Sequence, residues 1–413
     1  MDARAPAEPG PAGGGRMVSV EEYRERVVSL AAGRDLAVER VGLAEASGRV
    51  LAADLVARFA VPPFDNSAMD GFAVRAADVH SPPVALTVAG ESAAVAGEIP
   101  AVGPGLAVRV MTGGRIPPGA DAVVQVELTD QPAGVAPLPR QVRILESVPP
   151  GRHVRRAADD LAAGDLVLPA GTVLTPAAVA AAASVGYGEL QVRVRPRVAV
   201  IATGAELVEP GRPLADGEIP DSNSLMIAAL AAASGAEVVT VARSGDDPRA
   251  LARLLTDLPR VDAVFTSGGV SAGVYEPVRQ LGAELEFCSV AMQPGKPQGC
   301  GLIDGVPLVA FPGNPVSSFV SFHVLGRPLL DALTGARRTV ARRFAVALDG
   351  WRSPGGRRQY VPVITETDGV RLTHRLGSGS HLAASLHRAD ALAIVPEDRL
   401  AVAVGDRLEV MAV

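Results

Sequence analysis

Residues 196–333 alternate between short apolar segments and helical segments, and this alternation restricts the fold more than any other feature of the sequence. The pattern predicts strands at residues 198–202, 237–242, 261–266 and 306–311 and helices at residues 224–233, 248–258 and 316–333. Continuous apolar strands that alternate with helices form a parallel sheet covered on both faces. In such sheets, ligands bind at the carboxyl ends of the strands.

Three of the predicted strands end in turns rich in glycine or proline, namely Thr203-Gly204, Ser267-Gly268-Gly269 and Pro312-Gly313-Asn314-Pro315. Glycine lets backbone amide groups come close to an anion. The free amide groups of the helix that begins near Pro315 would add to such a site. The glycines could also serve only to close the turns. Their position at three strand ends of one unit nevertheless favours an anion-binding site.

The rest of the chain is predicted to contain mostly β-structure. A helix begins after Ser19, and further β segments are predicted at residues 84–89, 106–111, 122–126 and 141–148. Residues 161–174 are predicted to form a small hairpin and residues 177–184 a helix. Five β segments within residues 336–413 predict a small β-barrel or sandwich. Residues 1–16, rich in Pro, Gly and Ala, are predicted to be a disordered tail.

Charge and composition exclude several classes of function. A formal net charge of -6, with dispersed basic residues, argues against nucleic-acid binding. No segment reaches the length of apolar chain that spans a bilayer, so no membrane helix is expected. The two cysteines, Cys288 and Cys300, are best explained as reduced thiols of a cytoplasmic protein, although one disulfide stays open as an alternative. P-loop, zinc-protease and nucleophile-elbow motifs are absent from the sequence.

Lysine and asparagine are scarce, and each copy falls in a turn-like motif. Lys296 is the only lysine among 39 basic residues, and the only asparagines are Asn66, Asn223 and Asn314. Asparagine favours turns in any protein, which explains the placement of these three as well as a functional role does. Lysine has no such preference, and a compact cation between a glycine and a proline suits a phosphate or another oxyanion. We therefore predict that Lys296 binds an anion.

Acidic residues at several turns predict a metal beside that anion. Glu206 and Asp246 each follow a predicted strand, and Asp70 and Glu276 lie in other turns. Carboxylates next to a phosphate group indicate Mg²⁺, which binds one or two carboxylates together with phosphate oxygens. The alternative is that these acids are turn and cap residues, since residues 246–248 also form an ordinary helix start.

Seven motifs, in their order along the chain, resemble those of the MoeA family of molybdopterin molybdenumtransferases, to which the E domain of gephyrin also belongs. They are PPFDNSAMDGFAV (62–74), MTGGRIPPGADAVV (111–124), ATGAELVEPG (202–211), GEIPDSNS (217–224), SGGVSAG (267–273), PGKP (294–297) and FPGNPVS (311–317). The resemblance extends from about residue 17 to residue 413.

This resemblance implies a multidomain α/β plus β fold and a homodimer of elongated, L-shaped subunits. Residues 17–195 would form an elongated N-terminal domain with an inserted β-rich domain at about residues 75–145. Residues 196–335 would form the parallel α/β molybdopterin-binding domain, and residues 336–413 a C-terminal β-barrel. A molybdopterin adenylyltransferase and molybdoenzymes would be protein partners.

The resemblance also implies a reaction and roles for individual residues. Molybdate is inserted into the dithiolene of adenylylated molybdopterin, and the adenylate is cleaved with Mg²⁺, which releases molybdenum cofactor and AMP. The three strand-end turns would bind the molybdopterin. The residues that match catalytic positions are Asp70, Thr112, Glu206, Asp246 and Glu276, of which the last three would also hold the metal. Asp70 and Thr112 would approach the α/β domain of the other subunit. The positions that match molybdate ligands are Lys296, Ser317, Arg357 and Ser380, a set whose charges and hydroxyl groups suit a tetrahedral dianion.

Three parts of the sequence depart from the family pattern. Val274 and Glu276 each stand in place of an aspartate, Gln293 in place of a lysine and Pro362 in place of an arginine. These changes leave open a catalytically weakened relative that binds molybdopterin or a partner enzyme. A scaffold without catalytic function, like the gephyrin E domain in its clustering role, is a third and less supported alternative.

Overall fold

The computed structural model describes residues 17–92, 97–134, 136–270, 277–281, 284–374 and 379–413. Its first helix, Val20–Ser29, begins as the capping pattern predicts, because the Ser19 side chain accepts a hydrogen bond from the Glu22 amide at 3.1 Å. Val20, Tyr23 and Val27 are buried in the same core as the central strands of the α/β unit. The helix contacts strand Pro297–Ile303 and helix Arg327–Thr334, which lie about three hundred residues later in the chain.

A six-stranded sheet forms the centre of the α/β unit. Its strands, in spatial order, are Glu237–Ser244, Arg197–Thr203, Ala263–Ser267, Val306–Phe311, Pro297–Ile303 and Leu285–Ser289. The first four are parallel, which confirms the prediction. Helix Asn223–Ala233 connects the second strand to the first, and helix Pro248–Thr256 connects the first to the third. The last two extend the sheet through antiparallel pairing, Pro297–Ile303 with Val306–Phe311 and Leu285–Ser289 with Pro297–Ile303, which the apolar pattern did not predict.

The long helix predicted at residues 316–333 is interrupted. The structure has an α-helix at Pro315–Ser321, a π-helical turn at Phe322–Gly326 and a second α-helix at Arg327–Thr334. Pro328 lies in the first turn of that second helix and has no backbone N–H to donate to the preceding turn. The prediction of one continuous helix is therefore wrong, and the widened turn accommodates the missing hydrogen bond.

The β-rich region predicted in the first half of the chain is confirmed as a five-stranded sheet. Its strands, in spatial order, are Ala122–Gln125, Gly71–Val74, Leu106–Val110, Val84–Ser92 and Gln141–Ile144. A Cβ atom at Gly71 would lie 2.0 Å from the carbonyl oxygen of Val124, so only glycine allows these two strands to approach this closely.

The hairpin predicted at residues 161–174 is wrong. Leu166–Leu168 pairs with Leu55–Val56 instead, and strand Val38–Gly42 pairs with Glu189–Arg193. Helix Pro176–Ser184 packs on these short sheets. Segments before and after the five-stranded sheet thus form one unit, with the sheet inserted between them. Sequence reasoning found the turn signals but not the distant pairing partners.

The C-terminal residues form the predicted β-barrel. Its strands are Arg342–Val346, Arg358–Glu366, Gly369–Leu372, Ala391–Val395 and Arg407–Ala412. Antiparallel pairing runs from Gly369–Leu372 through the sheet to Arg342–Val346, and a bridge between Ala347 and Val370 joins the two ends. The multidomain α/β plus β fold is thereby confirmed, whereas the boundaries at residues 195 and 335 stay predictions. In the described part of the chain, no helix is long and apolar enough to cross a bilayer.

The π-helical turn carries a buried histidine that predicts how stability depends on pH. Burial, and secondarily the charge of Arg327, lower the pKa of His323 to about 3. The unfolded chain binds a proton at this position below its ordinary pKa of about 6.5, and the folded chain does not. The free energy of unfolding should therefore fall as the pH drops from 6.5 towards 3, by up to about 1.4 kcal/mol per pH unit from this group.

His323→Leu should flatten this dependence in urea unfolding measured between pH 6.5 and 5, where most carboxylates stay ionised. Val324→Ala serves as the control because it alters the same buried π-helical turn without removing a titratable group, and it should keep the wild-type slope. An equal slope in the wild type and in His323→Leu would contradict the assignment.

Candidate active site

A cavity of about 620 Å³ opens at the carboxyl ends of the parallel strands. All three predicted strand-end turns line it, with Thr203, Gly204, Ser267, Gly268, Gly269, Pro312, Gly313, Asn314 and Pro315 in its wall. His381, from the C-terminal region, also lines the cavity. The site therefore lies where parallel sheets of this kind bind ligands.

A buried hydrogen-bond network holds two of the turns together. The Asn223 side-chain amide donates to Ser267 Oγ at 2.8 Å and to the Gly313 carbonyl oxygen at 2.6 Å. The Ser318 hydroxyl donates to the Pro312 carbonyl oxygen at 2.6 Å, so its contact of 3.1 Å with Ser267 Oγ must be one that it accepts. These bonds fix the spacing between the turns that begin at Ser267 and Pro312.

Asn223→Ala should lower the free energy of unfolding by about 2 kcal/mol, because it leaves a buried serine and a buried carbonyl without one of their partners. Urea unfolding monitored by circular dichroism measures the change. Ser222→Ala is the matched control, since the exposed Ser222 side chain makes no capping hydrogen bond to the same helix. Equal losses in the two variants would show that the network does not hold the turns.

Two of the predicted carboxylates reach the cavity. Glu206 is exposed and its carboxylate lies against the backbone of Gly204, so a Cβ atom there would be 2.6 Å from an Oε atom. Asp246 is half-buried in the cavity wall. Within the described ranges, neither carboxylate takes part in an ion pair or a side-chain hydrogen bond. Both are therefore available to a cation or to a donor group on a ligand.

None of the four predicted oxyanion ligands lines the cavity itself, but their segments contact one another beside it and reach it at Pro297 and His381; these segments together are called the oxyanion edge. Gln298 Nε2 donates to the Gly295 carbonyl oxygen at 2.8 Å and to Ser321 Oγ at 2.7 Å, which ties the Lys296 loop to the helix of Ser317. The Val316 amide of that helix donates to the Ser380 carbonyl oxygen at 3.1 Å. Arg357 Nη1 donates to Gln293 Oε1 at 2.9 Å.

These contacts connect all four segments that carry Lys296, Ser317, Arg357 and Ser380. The Lys296 side chain is exposed, the Arg357 side chain is half-buried and Ser317 is buried. Pro297 and His381, next in sequence to Lys296 and Ser380, line the cavity. The structure thus brings these segments together, while their binding of an oxyanion stays a prediction.

Asp70 and Thr112 lie elsewhere. The Thr112 amide and hydroxyl donate to Asp70 Oδ1 at 2.6 and 2.9 Å, and both residues are exposed on the unit of the five-stranded sheet. Neither lines the cavity at the strand ends. Within one chain, these two residues therefore bond to each other and lie outside the cavity that the other described site residues line or border.

The positions that depart from the family pattern differ in where they lie. Gln293 lies three residues before Lys296, outside the cavity lining, and accepts a hydrogen bond from Arg357. Pro362 is buried in the barrel strand Arg358–Glu366, opposite Leu392. Val274 and the predicted metal ligand Glu276 lie outside the described residues.

Sequence reasoning missed two residues that shape the site. Asp221 is 1% exposed, and its carboxylate accepts hydrogen bonds from the Ser224 amide and hydroxyl at 3.0 and 2.5 Å. Ser318 connects two strand-end turns, as described above. The motif around Asn223 pointed to the Asp221 region, whereas nothing in the sequence distinguished Ser318 from other helical serines.

Most of the chain matches known protein families. Residues 18–186 match the family model of the MoeA N-terminal region (domains I and II), residues 199–332 that of a probable molybdopterin binding domain, and residues 345–413 that of the MoeA C-terminal region (domain IV). The crystal structure of the molybdopterin biosynthesis MoeA protein from Pyrococcus horikoshii OT3 superposes with a TM-score of 0.81 at 28% identity, over 96% of this chain and 100% of that one.

Curated relatives are similar over nearly their whole length. Molybdopterin molybdenumtransferase 2 of Mycobacterium tuberculosis strain H37Rv is 42% identical over 410 residues, which cover 95% of this chain and 99% of the relative. The molybdopterin molybdenumtransferase of a Nostoc species is 36% identical, over 87% of this chain and 85% of its own. On its sequence, its fold and its strand-end cavity, the chain belongs to the MoeA family of molybdopterin molybdenumtransferases.

Proposed function

We propose that this enzyme acts in molybdenum cofactor biosynthesis by inserting molybdate into adenylylated molybdopterin, with Mg²⁺-dependent release of AMP. The observation that supports the proposal most is the arrangement around one cavity. Three strand-end turns line it, two carboxylates without a partner among the described residues lie in its wall, and the Lys296 segment reaches it at Pro297. A substrate with a pyrophosphate at one end and a dithiolene at the other needs these two chemically different regions.

The pyrophosphate end would lie against the glycine turns. Gly204 has a φ of 152°, Gly268 of 92° and Gly269 of 69°, conformations that favour glycine. The amides of Gly204 and Gly268 donate to the carbonyl oxygens of Ser244 and Phe311 at 3.0 Å, so the Gly269 amide is the one of the three without a backbone acceptor among the described residues. The buried hydroxyl of Ser267 and the network through Asn223 hold these turns in place. Their role is to bind and orient the phosphate groups.

The residues present fit Mg²⁺ at this end. Glu206 and Asp246 supply two oxygen donors with no competing partner among the described residues, and no third His, Cys, Asp or Glu joins them in a metal-sized cluster there. Mg²⁺ commonly binds one or two carboxylates and takes its other ligands from substrate phosphates and water. When bound, the ion would supply positive charge that offsets the charge of the pyrophosphate.

The oxyanion edge would hold molybdate as a substrate. Lys296 provides a compact positive charge, and Arg357 provides planar N–H donors that suit two oxygens of one anion. Hydroxyl groups of Ser317 and Ser380 would donate to the others. The molybdate dianion and the dithiolene would then be held side by side. Their reaction would not depend on an encounter between two free molecules.

We further propose that the active site is completed in a homodimer. Asp70 and Thr112 are bonded to each other, exposed and absent from the cavity of their own chain. A second copy of the chain could bring this pair to the cavity. The free thiols of Cys288 and Cys300 fit a reducing cytoplasm, where a molybdopterin adenylyltransferase would supply the substrate and molybdoenzymes would take the product.

Reconstitution tests the proposal. Purified enzyme, adenylylated molybdopterin, Mg²⁺ and molybdate are expected to yield AMP, measured by chromatography, together with molybdenum cofactor, measured by activation of a cofactor-free molybdoenzyme. Omission of molybdate provides the control. Absence of AMP at every molybdate concentration would overturn the proposal.

The same experiment distinguishes a second candidate function, favoured by the uncharged Gln293 at the oxyanion edge. A weakened relative that only binds molybdopterin would retain affinity for the adenylylated pterin, measured by fluorescence titration, but would release no AMP. Loss of both binding and turnover would exclude both functions.

A further inference from the structure

Gln293 and Arg357 form a hydrogen bond within the oxyanion edge, beside the cavity but outside its lining. Arg357 Nη1 lies 2.9 Å from Gln293 Oε1, and both side chains are half-buried. Since a guanidinium group can only donate, the glutamine must present its oxygen. Among the described residues, this is the side-chain hydrogen bond that holds Arg357.

Backbone pairing fixes the partners of this bond relative to each other. Met292–Gln293 pairs in parallel with Arg358–Gln359, and the Arg358 amide donates to the Ala291 carbonyl oxygen at 2.9 Å. The two side chains therefore project from adjacent, paired segments. This geometry limits the directions in which the Arg357 guanidinium can point.

The uncharged acceptor has a chemical consequence. A carboxylate at residue 293 would hold the arginine but neutralise its charge, and a lysine would repel it and offer no acceptor. An amide oxygen orients the guanidinium, leaves its full positive charge and occupies one of five N–H donors. The remaining donors can bind an oxyanion.

We propose that Gln293 is a positioning residue, which aims Arg357 at a tetrahedral oxyanion and thereby sets the affinity for molybdate. This inference rests on the proposed function. It assigns a role to the uncharged residue Gln293, in addition to the roles proposed for Lys296 and Arg357. Gln293 acts through Arg357, whereas Lys296 and Arg357 contact the anion. The pair should affect molybdate binding and leave binding of the pterin unchanged.

Two substitutions and a double mutant test the role. Gln293→Met removes the hydrogen-bond acceptor but keeps a side chain of similar length. It should raise the KM for molybdate about tenfold, with kcat at saturating molybdate unchanged. Gln293→Glu keeps an acceptor but neutralises Arg357, and should raise the KM further. In an Arg357→Ala background, Gln293→Met should have no additional effect, because the residue it positions is gone.

Affinity for adenylylated molybdopterin, from fluorescence titration, and the thermal unfolding midpoint should be the same in all variants. A molybdate KM that is unchanged in Gln293→Met, or equally raised in the Arg357→Ala background, would overturn the positioning role while the enzyme itself remains active. If the wild type shows no molybdate-dependent turnover, the proposed function fails and this inference fails with it.

Discussion

Glu206→Gln and Asp246→Asn are each expected to lower the rate of AMP release from adenylylated molybdopterin about a hundredfold, since each removes charge at the place where the pyrophosphate would be cleaved. Both carboxylates lie in the cavity wall and take part in no ion pair within the described residues. Their loss should therefore leave the free energy of unfolding nearly unchanged. Quenched-flow or steady-state measurement of AMP, at several Mg²⁺ concentrations, gives the rates.

Glu209→Gln is the matched control for these two variants. Glu209 is an exposed acid three residues beyond Glu206 and does not line the cavity. The Glu209→Gln variant should release AMP at the wild-type rate. This result would separate a specific effect of Glu206 and Asp246 from a general change of surface charge. Wild-type rates in Glu206→Gln and Asp246→Asn would remove the metal assignment. Higher Mg²⁺ concentrations should restore part of the lost rate if the substitutions weaken metal binding rather than disturb the turns.

The sequence predicted the parallel strands and their terminal turns because both depend on local signals. Val306–Phe311 is a continuous apolar run, and the strand buried on both faces begins and ends where that run does. Gly268 marked a turn because its φ of 92° is one that other residues rarely adopt. Scarcity directed attention to Asn223, which lies in the wall of the cavity, and to Lys296, which directly precedes the lining residue Pro297.

The errors involve pairing between distant segments. Leu166–Leu168 carries turn signals on both sides, which suggest a hairpin, yet its partner is Leu55–Val56. Strand Pro297–Ile303 contains a proline and two glycines, so its place in the sheet depends on its neighbours rather than on its own composition. Ser318 resembles any helical serine until the fold brings it to Ser267. Such contacts arise only in the folded chain.

A heterodimer of Asp70→Asn and Glu206→Gln subunits is expected to regain about half of the wild-type activity, although each variant alone should be nearly inactive. The proposed dimer places Asp70 of one subunit at the cavity of the other. One cavity of the mixed dimer would then carry both defects and the other neither. Co-expression with two different affinity tags, followed by sequential purification, isolates this species, and AMP release measures its activity.

Asp70→Asn is suited to this test because it preserves local structure. Asp70 Oδ1 accepts both hydrogen bonds from Thr112, and an asparagine retains that oxygen while it loses the negative charge. A heterodimer of Glu206→Gln with Asp246→Asn is the control. Both of these residues line the cavity of their own chain, so each cavity of this species keeps one defect and activity should stay low. If the active site were completed within one chain, the Asp70→Asn and Glu206→Gln heterodimer would be as inactive as its parents, because neither subunit would contain an intact site.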